Sequence, residues 1–250
     1  MDSDRKTTYA DHRADVYDDW FGGYLGTAPV VERLAELAAI AGPGPVLELG
    51  IGTGRVALPL AGRGIEVHGV DYSEAMVAQL RAKPGGEAIA VTLGDFSEPP
   101  PRGPFALVFV VAGSFFELPS QDAQVRCFQN VAHRLQPGGL FVLDALVPDV
   151  SRGGGDRDVR VIPTSADRLI VRFRQLEPVE QRYTSNYLVV DGGVARHMKV
   201  DFRYAWPSEL DLMARLAGLA LRERTGSWNG EPFTAASTTH VSIYERAAAT

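Results

Sequence analysis

The stretch "VLELGIGTGR", residues 46 to 55, decides how this chain folds. An apolar run carrying one acid, Glu48, passes straight into glycines at positions 50, 52 and 54. A strand, a glycine-rich turn and a helix in that order form the nucleotide-holding unit of α/β proteins. The dinucleotide fingerprint G-x-G-x-x-G fails here, because its third glycine falls on Arg55. That glycine lets helix and strand approach closely, which an arginine cannot do. Glu48 adds a second objection, since a carboxylate beside the loop repels a pyrophosphate and suits a cation. A helix N-terminus receives a carboxylate, so the unit could hold an amino acid, with Glu48 near an ammonium or sulfonium.

Outward from this stretch, residues 28 to 146 alternate short β-rich runs with segments of helical period, the pattern of a parallel sheet. "PVVERLAELAAIAG" predicts a helix closed by glycine, and "RVALPLAGRG" a short one. "EVHGVD" is the second strand, after which Ser73 caps "EAMVAQLRA". "AIAVTLGD", "FALVFVVAG" and "LFVLDAL" are the third to fifth strands. The helix before the fifth, "SQDAQVRCFQNVAHRLQPGG", is expected to end at Pro-Gly-Gly. Strands so apolar are buried on both faces, as a doubly wound sheet requires.

Beyond the glycine-rich stretch after residue 147, residues 158 to 205 alternate with period two. Leu169, Val171 and Phe173 share one face; Met198, Val200, Phe202 and Tyr204 do so on a later strand, and "VVDGGVA" is a hairpin turn. The expected fold is α/β, a doubly wound, mostly parallel seven-stranded sheet with an inserted antiparallel β-meander. One domain, 1–250, holds an N-terminal cap segment (1–27), a core (28–146), the meander (151–206) and a C-terminal helix and strands (207–250).

The net charge of −6 gives no attraction for a polyanion, so neither nucleic acid nor an anionic membrane is the expected partner. Arg172, Arg174, Arg196, Lys199 and Arg203 cluster and are read as solvated strand faces. No apolar run spans a bilayer and the N-terminus lacks a signal-peptide core, so the cytoplasm is expected. Cys127 stands alone in a helical pattern and is expected to be a buried, inert thiol.

The opening stretch resembles the first motif of class I S-adenosylmethionine-dependent methyltransferases, and other segments follow in register. The resemblance implies that Glu48, Gly50, Gly52 and Gly54 face the methionyl end of the cofactor and Asp71 the ribose hydroxyls. It sets Tyr72 and Met76 beside the adenine, "GDF" (Gly94, Asp95, Phe96) at the adenine amino group, and Val111 in the same pocket. Met76 also fits plain core, and Asp95 also fits a turn cap. Asp71 alone does not discriminate, because a dinucleotide enzyme places an acid there too. The aromatic N-terminus "TTYADHRADVYDDWFGGY" resembles natural-product enzymes, especially amino-sugar N,N-dimethyltransferases, where it closes over the cofactor. By that likeness Tyr9 and Tyr17 are cofactor contacts, while Phe21 and Tyr24 also fit simple docking.

The implied reaction takes a methyl group from S-adenosylmethionine to the nitrogen or oxygen of a small-molecule acceptor and leaves S-adenosylhomocysteine. Alignment and desolvation carry most of such a displacement, and a base is needed only for a protonated acceptor. Glu117 and Asp144 follow the fourth and fifth strands and are the base candidates. Ser114, Phe115 and Phe116 are placed at the acceptor, with the phenylalanines equally suited to the core. The amino-sugar enzymes end the fourth-strand segment in Gly-His, whereas this chain has Gly113-Ser114. His12, His68 and His133 read as structural or solvated; His197 and His240 are open. No metal is expected, because Asp144 lacks the following Asp-Asn pair of catechol-type enzymes. Carbon methylation, a non-catalytic adenosylmethionine-binding protein and a nicotinamide oxidoreductase are the alternatives. Cofactor binding without turnover marks the second of these, and saturable NAD(P)(H) binding the third.

Overall fold

The computed structural model describes residues 14, 17, 18, 26–98, 103–149, 158–162 and 168–248. In chain order the elements are α1 (Thr27–Ala41), β1 (Val46–Leu49), α2 (Ala57–Ala61), β2 (Val67–Asp71), α3 (Glu74–Arg81) and β3 (Ala90–Leu93). There follow β4 (Phe105–Val110), a 3-10 turn (Ser114–Glu117), α4 (Gln121–Arg134) and β5 (Leu135–Leu146). The chain continues with β6 (Asp158–Ile162), β7 (Arg168–Glu177), β8 (Arg182–Asp191), β9 (Val194–Arg203), α5 (Pro207–Leu216), β10 (Leu219–Thr225) and β11 (Thr239–Arg246).

Seven strands form one sheet in the order β10-β11-β5-β4-β1-β2-β3. Only β11 runs against its neighbours. Helix α1 buries Val30, Val31, Leu34 and Leu37 at helical spacing, joined on that face by Ala57 and Leu60 of α2 and Leu80 of α3. The opposite face is covered by α4 and α5 through Cys127, Phe128, Val131, Leu210 and Met213. Phe128 is the hub there, edge-on to Phe115, Phe141 and Tyr244 at 5.4, 5.1 and 5.5 Å. Burial pushes the Cys127 thiol up, so it stays protonated packing material. The order in which strands are added reverses between β1, from which the chain winds outward to β2 and β3, and its parallel neighbour β4. A ligand crevice belongs at the carboxyl ends of those two strands.

Two local expectations change. Helix α4 stops at Arg134, and β5 begins at once, with Phe105↔Leu135 and Leu107↔Leu140 in register. Pro-Gly-Gly is therefore an irregularity inside β5, not the helix end. Gly139 is required there, because a Cβ would sit 2.9 Å from the Gln136 carbonyl. β3 is an edge strand with largely exposed side chains, unlike the buried strands beside it.

The meander is a separate four-stranded sheet, β6-β7-β8-β9, turned at Gly192-Gly193, both at positive φ. Leu169, Val171 and Phe173 do share a face, but Leu169 is 45% exposed. The buried side belongs to Ile170 and Arg172. Nor are all the clustered cations solvated. Arg203 is buried against Gln124 and Glu209, a pairing of elements 79 residues apart that spacing alone could not reveal. No helix among the described residues is long and apolar enough to cross a membrane.

Candidate active site

The loop after β1 is built by its glycines. Gly50, Gly52 and Gly54 all adopt positive φ, at 72°, 53° and 77°, which side chains disfavour. Their jobs differ. A Cβ on Gly54 would lie 2.2 Å from Leu80 Cδ1, so this glycine seats the loop on α3. A Cβ on Gly52 would meet nothing within 4 Å; that edge of the loop faces open space. Gly50 faces Ser114, whose Cβ would be 3.7 Å from a Gly50 Cβ, closing the cleft from the β4 side.

Glu48 lies under this loop, 2% exposed, and its Oε2 has no hydrogen-bond partner among the described residues. Burial raises its carboxyl to about 8, against the pull of Arg55 and the Ala57 amide and with the push of Asp71. An orphaned buried carboxyl in a cleft is costly unless a donor or cation arrives. Tyr17, Glu48, Gly50, Gly52, Thr53, Arg55, Val111, Ala112 and Ser114 line one cleft.

Asp71, at the end of β2, accepts from the Gly52 amide at 2.7 Å and the Ser73 amide at 2.9 Å. It therefore holds the loop in place from the end of β2. Ser73 caps α3 through the Met76 amide, and Met76 is buried behind the exposed Tyr72. Gly94 donates to the Asp71 carbonyl at 2.9 Å, fixing "GDF" beside β2. Asp95 Oδ1 caps the following turn through Ser97 N at 2.7 Å, while its residue is exposed. Phe96 is packed in the core and backs Gly50, 3.7 Å from where a Cβ would stand.

After β4 the chain turns through Ala112 and Gly113, both left-handed at φ 60° and 73°. For alanine that costs about 1–2 kcal/mol, the kind of strain that collects at functional sites. Asp144 holds this turn. Its Oδ1 accepts from Gly113 N and its Oδ2 from Trp228 Nε1, each at 2.9 Å. Burial raises the Asp144 carboxyl, while the Gly113, Trp228 and Ala112 donors and Arg55 pull it down. Each Asp144 oxygen thus receives one donor that holds the turn. Phe115 and Phe116 are fully buried in the core cluster on the α4 and α5 side of the sheet. Glu117 is partly exposed. His240 stays neutral, pushed down to about 4 by burial, with Nδ1 2.9 Å from Ser242 Oγ; His197 Nε2 lies 2.9 Å from Asn186 Oδ1.

The N-terminal segment reaches this cleft. Tyr17 lines it and also packs against Ile162, Ile170 and Val189 of the second sheet. Asp18 accepts from Thr53 Oγ1 at 2.6 Å and pairs with Lys83, which donates to the Thr53 carbonyl at 2.7 Å. Tyr9, Phe21, Tyr24 and His12 lie outside the described residues. Sequence reasoning missed Asp18, Thr53, Lys83, Ala112 and Trp228. Trp228 stands 84 residues from Asp144, and no spacing signal joins them.

The cleft fits S-adenosylmethionine: it offers an open glycine edge and a buried carboxyl whose Oε2 has no hydrogen-bond partner among the described residues. A methyltransferase-domain family model matches residues 46–139. Over 202 residues the chain is 31% identical to cypemycin N-terminal methyltransferase of a Streptomyces species, across 80% of this chain and 82% of that one. The structure of the CcbJ methyltransferase from Streptomyces caelestis matches with a TM-score of 0.85 and 38% identity, over 97% of this chain and 98% of that one. CalS10 with S-adenosylmethionine bound, an amino pentose methyltransferase from Micromonospora echinaspora, shares the fold at a TM-score of 0.69 and 18% identity, over 98% and 99%. The chain is a class I methyltransferase of the S-adenosylmethionine-dependent family, and S-adenosylmethionine is its cofactor.

Proposed function

We propose that the protein methylates the nitrogen of a small-molecule amine in bacterial secondary metabolism. The observation that carries this reading is the 31% identity, over most of both chains, to a methyltransferase named as N-terminal, a position where a chain offers an amine. Bound S-adenosylmethionine supplies a sulfonium-activated methyl group, open to in-line displacement. Glu48 and the loop amides hold its methionyl end, and Asp71 its ribose. Tyr72, Met76, Gly94 and Asp95 would surround the adenine, while Val111 would line the cleft beside Gly50 and Tyr17 would shield it from water.

An amine arrives protonated and must lose a proton before its lone pair can attack. With Asp144 engaged by Gly113 and Trp228, Glu117 is the group assigned to take that proton. The E117Q variant is expected to lose turnover at neutral pH and recover it at alkaline pH, where the free amine predominates. Calorimetry with S-adenosylhomocysteine, followed by mass spectrometry and NMR of products from labelled S-adenosylmethionine, tests the whole reading. Failure to bind S-adenosylhomocysteine would sink it, and a methyl group found on oxygen or carbon would correct the acceptor atom.

A further inference from the structure

Strand β7 turns Leu169, Val171 and Phe173 to the outer face of the second sheet. Leu169 and Val171 stand opposite Val190 and Leu188 of β8, and Val171 and Phe173 stand opposite Val161 and Val159 of β6. The inner face of the same strands is buried, with Ile170 and Val189 packed on Tyr17. The outer apolar block is open instead. Val159 and Val161 are 59% and 64% exposed, and Leu169 and Leu188 are exposed beside them. The segments that border β6, "VSRGGGDR" (150–157) and "PTSAD" (163–167), hold one large apolar residue between them. The neighbouring chain therefore has no apolar side chains with which to cover the block. A contiguous apolar face of this kind is uncommon on a monomeric protein and marks a surface that another molecule covers.

We infer that this face is a two-fold interface, on which a second copy of the chain packs sheet against sheet. Shape, extent and charge each favour a like copy. A four-stranded sheet face suits another sheet, whose side chains interdigitate with its own, and small ligands prefer concave sites. Strands about 4.8 Å apart, rising about 3.4 Å per residue, make a face about 19 by 34 Å, whose corrugated surface approaches the ~800 Å² per partner of a stable interface. The polar border of the block is balanced within itself. Lys199 pairs with Asp201 at 3.1 Å, Thr184 donates to Asp201 at 2.7 Å, and His197 Nε2 lies 2.9 Å from Asn186 Oδ1. A border of one sign would repel its own copy across a two-fold axis, and this one does not. The net charge of −6 argues against an anionic membrane as the cover. Because Tyr17 sits under the inner face and lines the cleft, the interface braces one wall of the cofactor site from outside. None of this depends on which atom the enzyme methylates.

Analytical ultracentrifugation of the whole protein tests this. At about 10 μM, where an interface of micromolar affinity is mostly formed, the wild type should sediment at twice the mass of one chain. V161E and L188E set like charges on facing copies and should sediment as single chains, with the circular-dichroism spectrum of the wild type. The milder double variant V161T/L188T should weaken the dimer about tenfold or more, and it decides alone if a glutamate variant fails to fold. L216E alters a leucine that is 62% exposed at the end of α5, away from the face, and should leave the dimer intact. A wild-type protein that stays a single chain overturns the inference. So does a dimer that the Val161 and Leu188 variants leave intact, or one that L216E dissolves equally.

Discussion

Glu48 holds a proton that it would lose in water. Its folded value of about 8 lies above the ordinary 4.5, so through that window the native state keeps a proton that the unfolded chain has released. The stability of the unliganded protein therefore falls as pH rises through this window. A ligand ammonium favours the ionised carboxylate and reverses the preference. Cofactor binding at neutral pH is expected to release a proton, with affinity rising by at most about tenfold per pH unit toward pH 8. Calorimetry in buffers of different ionisation enthalpy reads this directly, and the release should vanish in E48Q. The glycines make a second expectation. G54A pushes a methyl group into Leu80 and should cost about 1–3 kcal/mol of stability by thermal unfolding. G52A has open space around its methyl group and should lose cofactor affinity out of proportion to its stability. The glycine triplet and Glu48 were legible as sequence, because each contradicts ordinary strand composition. Which glycine packs and which faces the ligand was not, since that depends on Leu80, 26 residues away.

At the scale of elements, the turn after β4 is defined from outside itself. Ala112 and Gly113 keep left-handed backbone because Asp144, from β5, receives the Gly113 amide, and Trp228 completes the same carboxylate. W228F leaves Asp144 Oδ2 without that donor and should cost about 1–3 kcal/mol in thermal unfolding. Adding D144L should cost less than the sum of the two separate losses, because the second change removes the acceptor that the first orphaned. Purely additive losses would mean that the staple carries no weight. The strands themselves were readable from hydropathy, and so was the hairpin at Gly192-Gly193. The burial of Arg172 was not. Alternation tells which residues share a face, and it assigns the charged face to solvent unless something covers it.

At the scale of the molecule, the second sheet packs on the first through Tyr183 beside the 3-10 turn and on Tyr17 at the cleft. The doubly wound order follows from the run of buried strands and the helices between them. The strand order switches sides at the carboxyl ends of β1 and β4, so topology alone implies a ligand crevice there. Of the aromatic N-terminus, Tyr17 lies among the described residues and lines the cleft. Its polar clasp is the part that needed coordinates: Asp18 on Thr53 and Lys83 ties the start of the chain to the loop and to the end of α3.

Tyr17 belongs to both walls at once, lining the cofactor cleft and filling the core under the second sheet. A side chain shared in this way links the traffic of the two substrates, because releasing one loosens the enclosure of the other. The turnover cycle is then expected to have a compulsory order, with S-adenosylmethionine first to enter and S-adenosylhomocysteine last to leave. Initial-rate studies would show S-adenosylhomocysteine as a competitive inhibitor against S-adenosylmethionine and a noncompetitive one against the acceptor. In Y17A the order should become random, and one aromatic ring would prove to set the sequence of events.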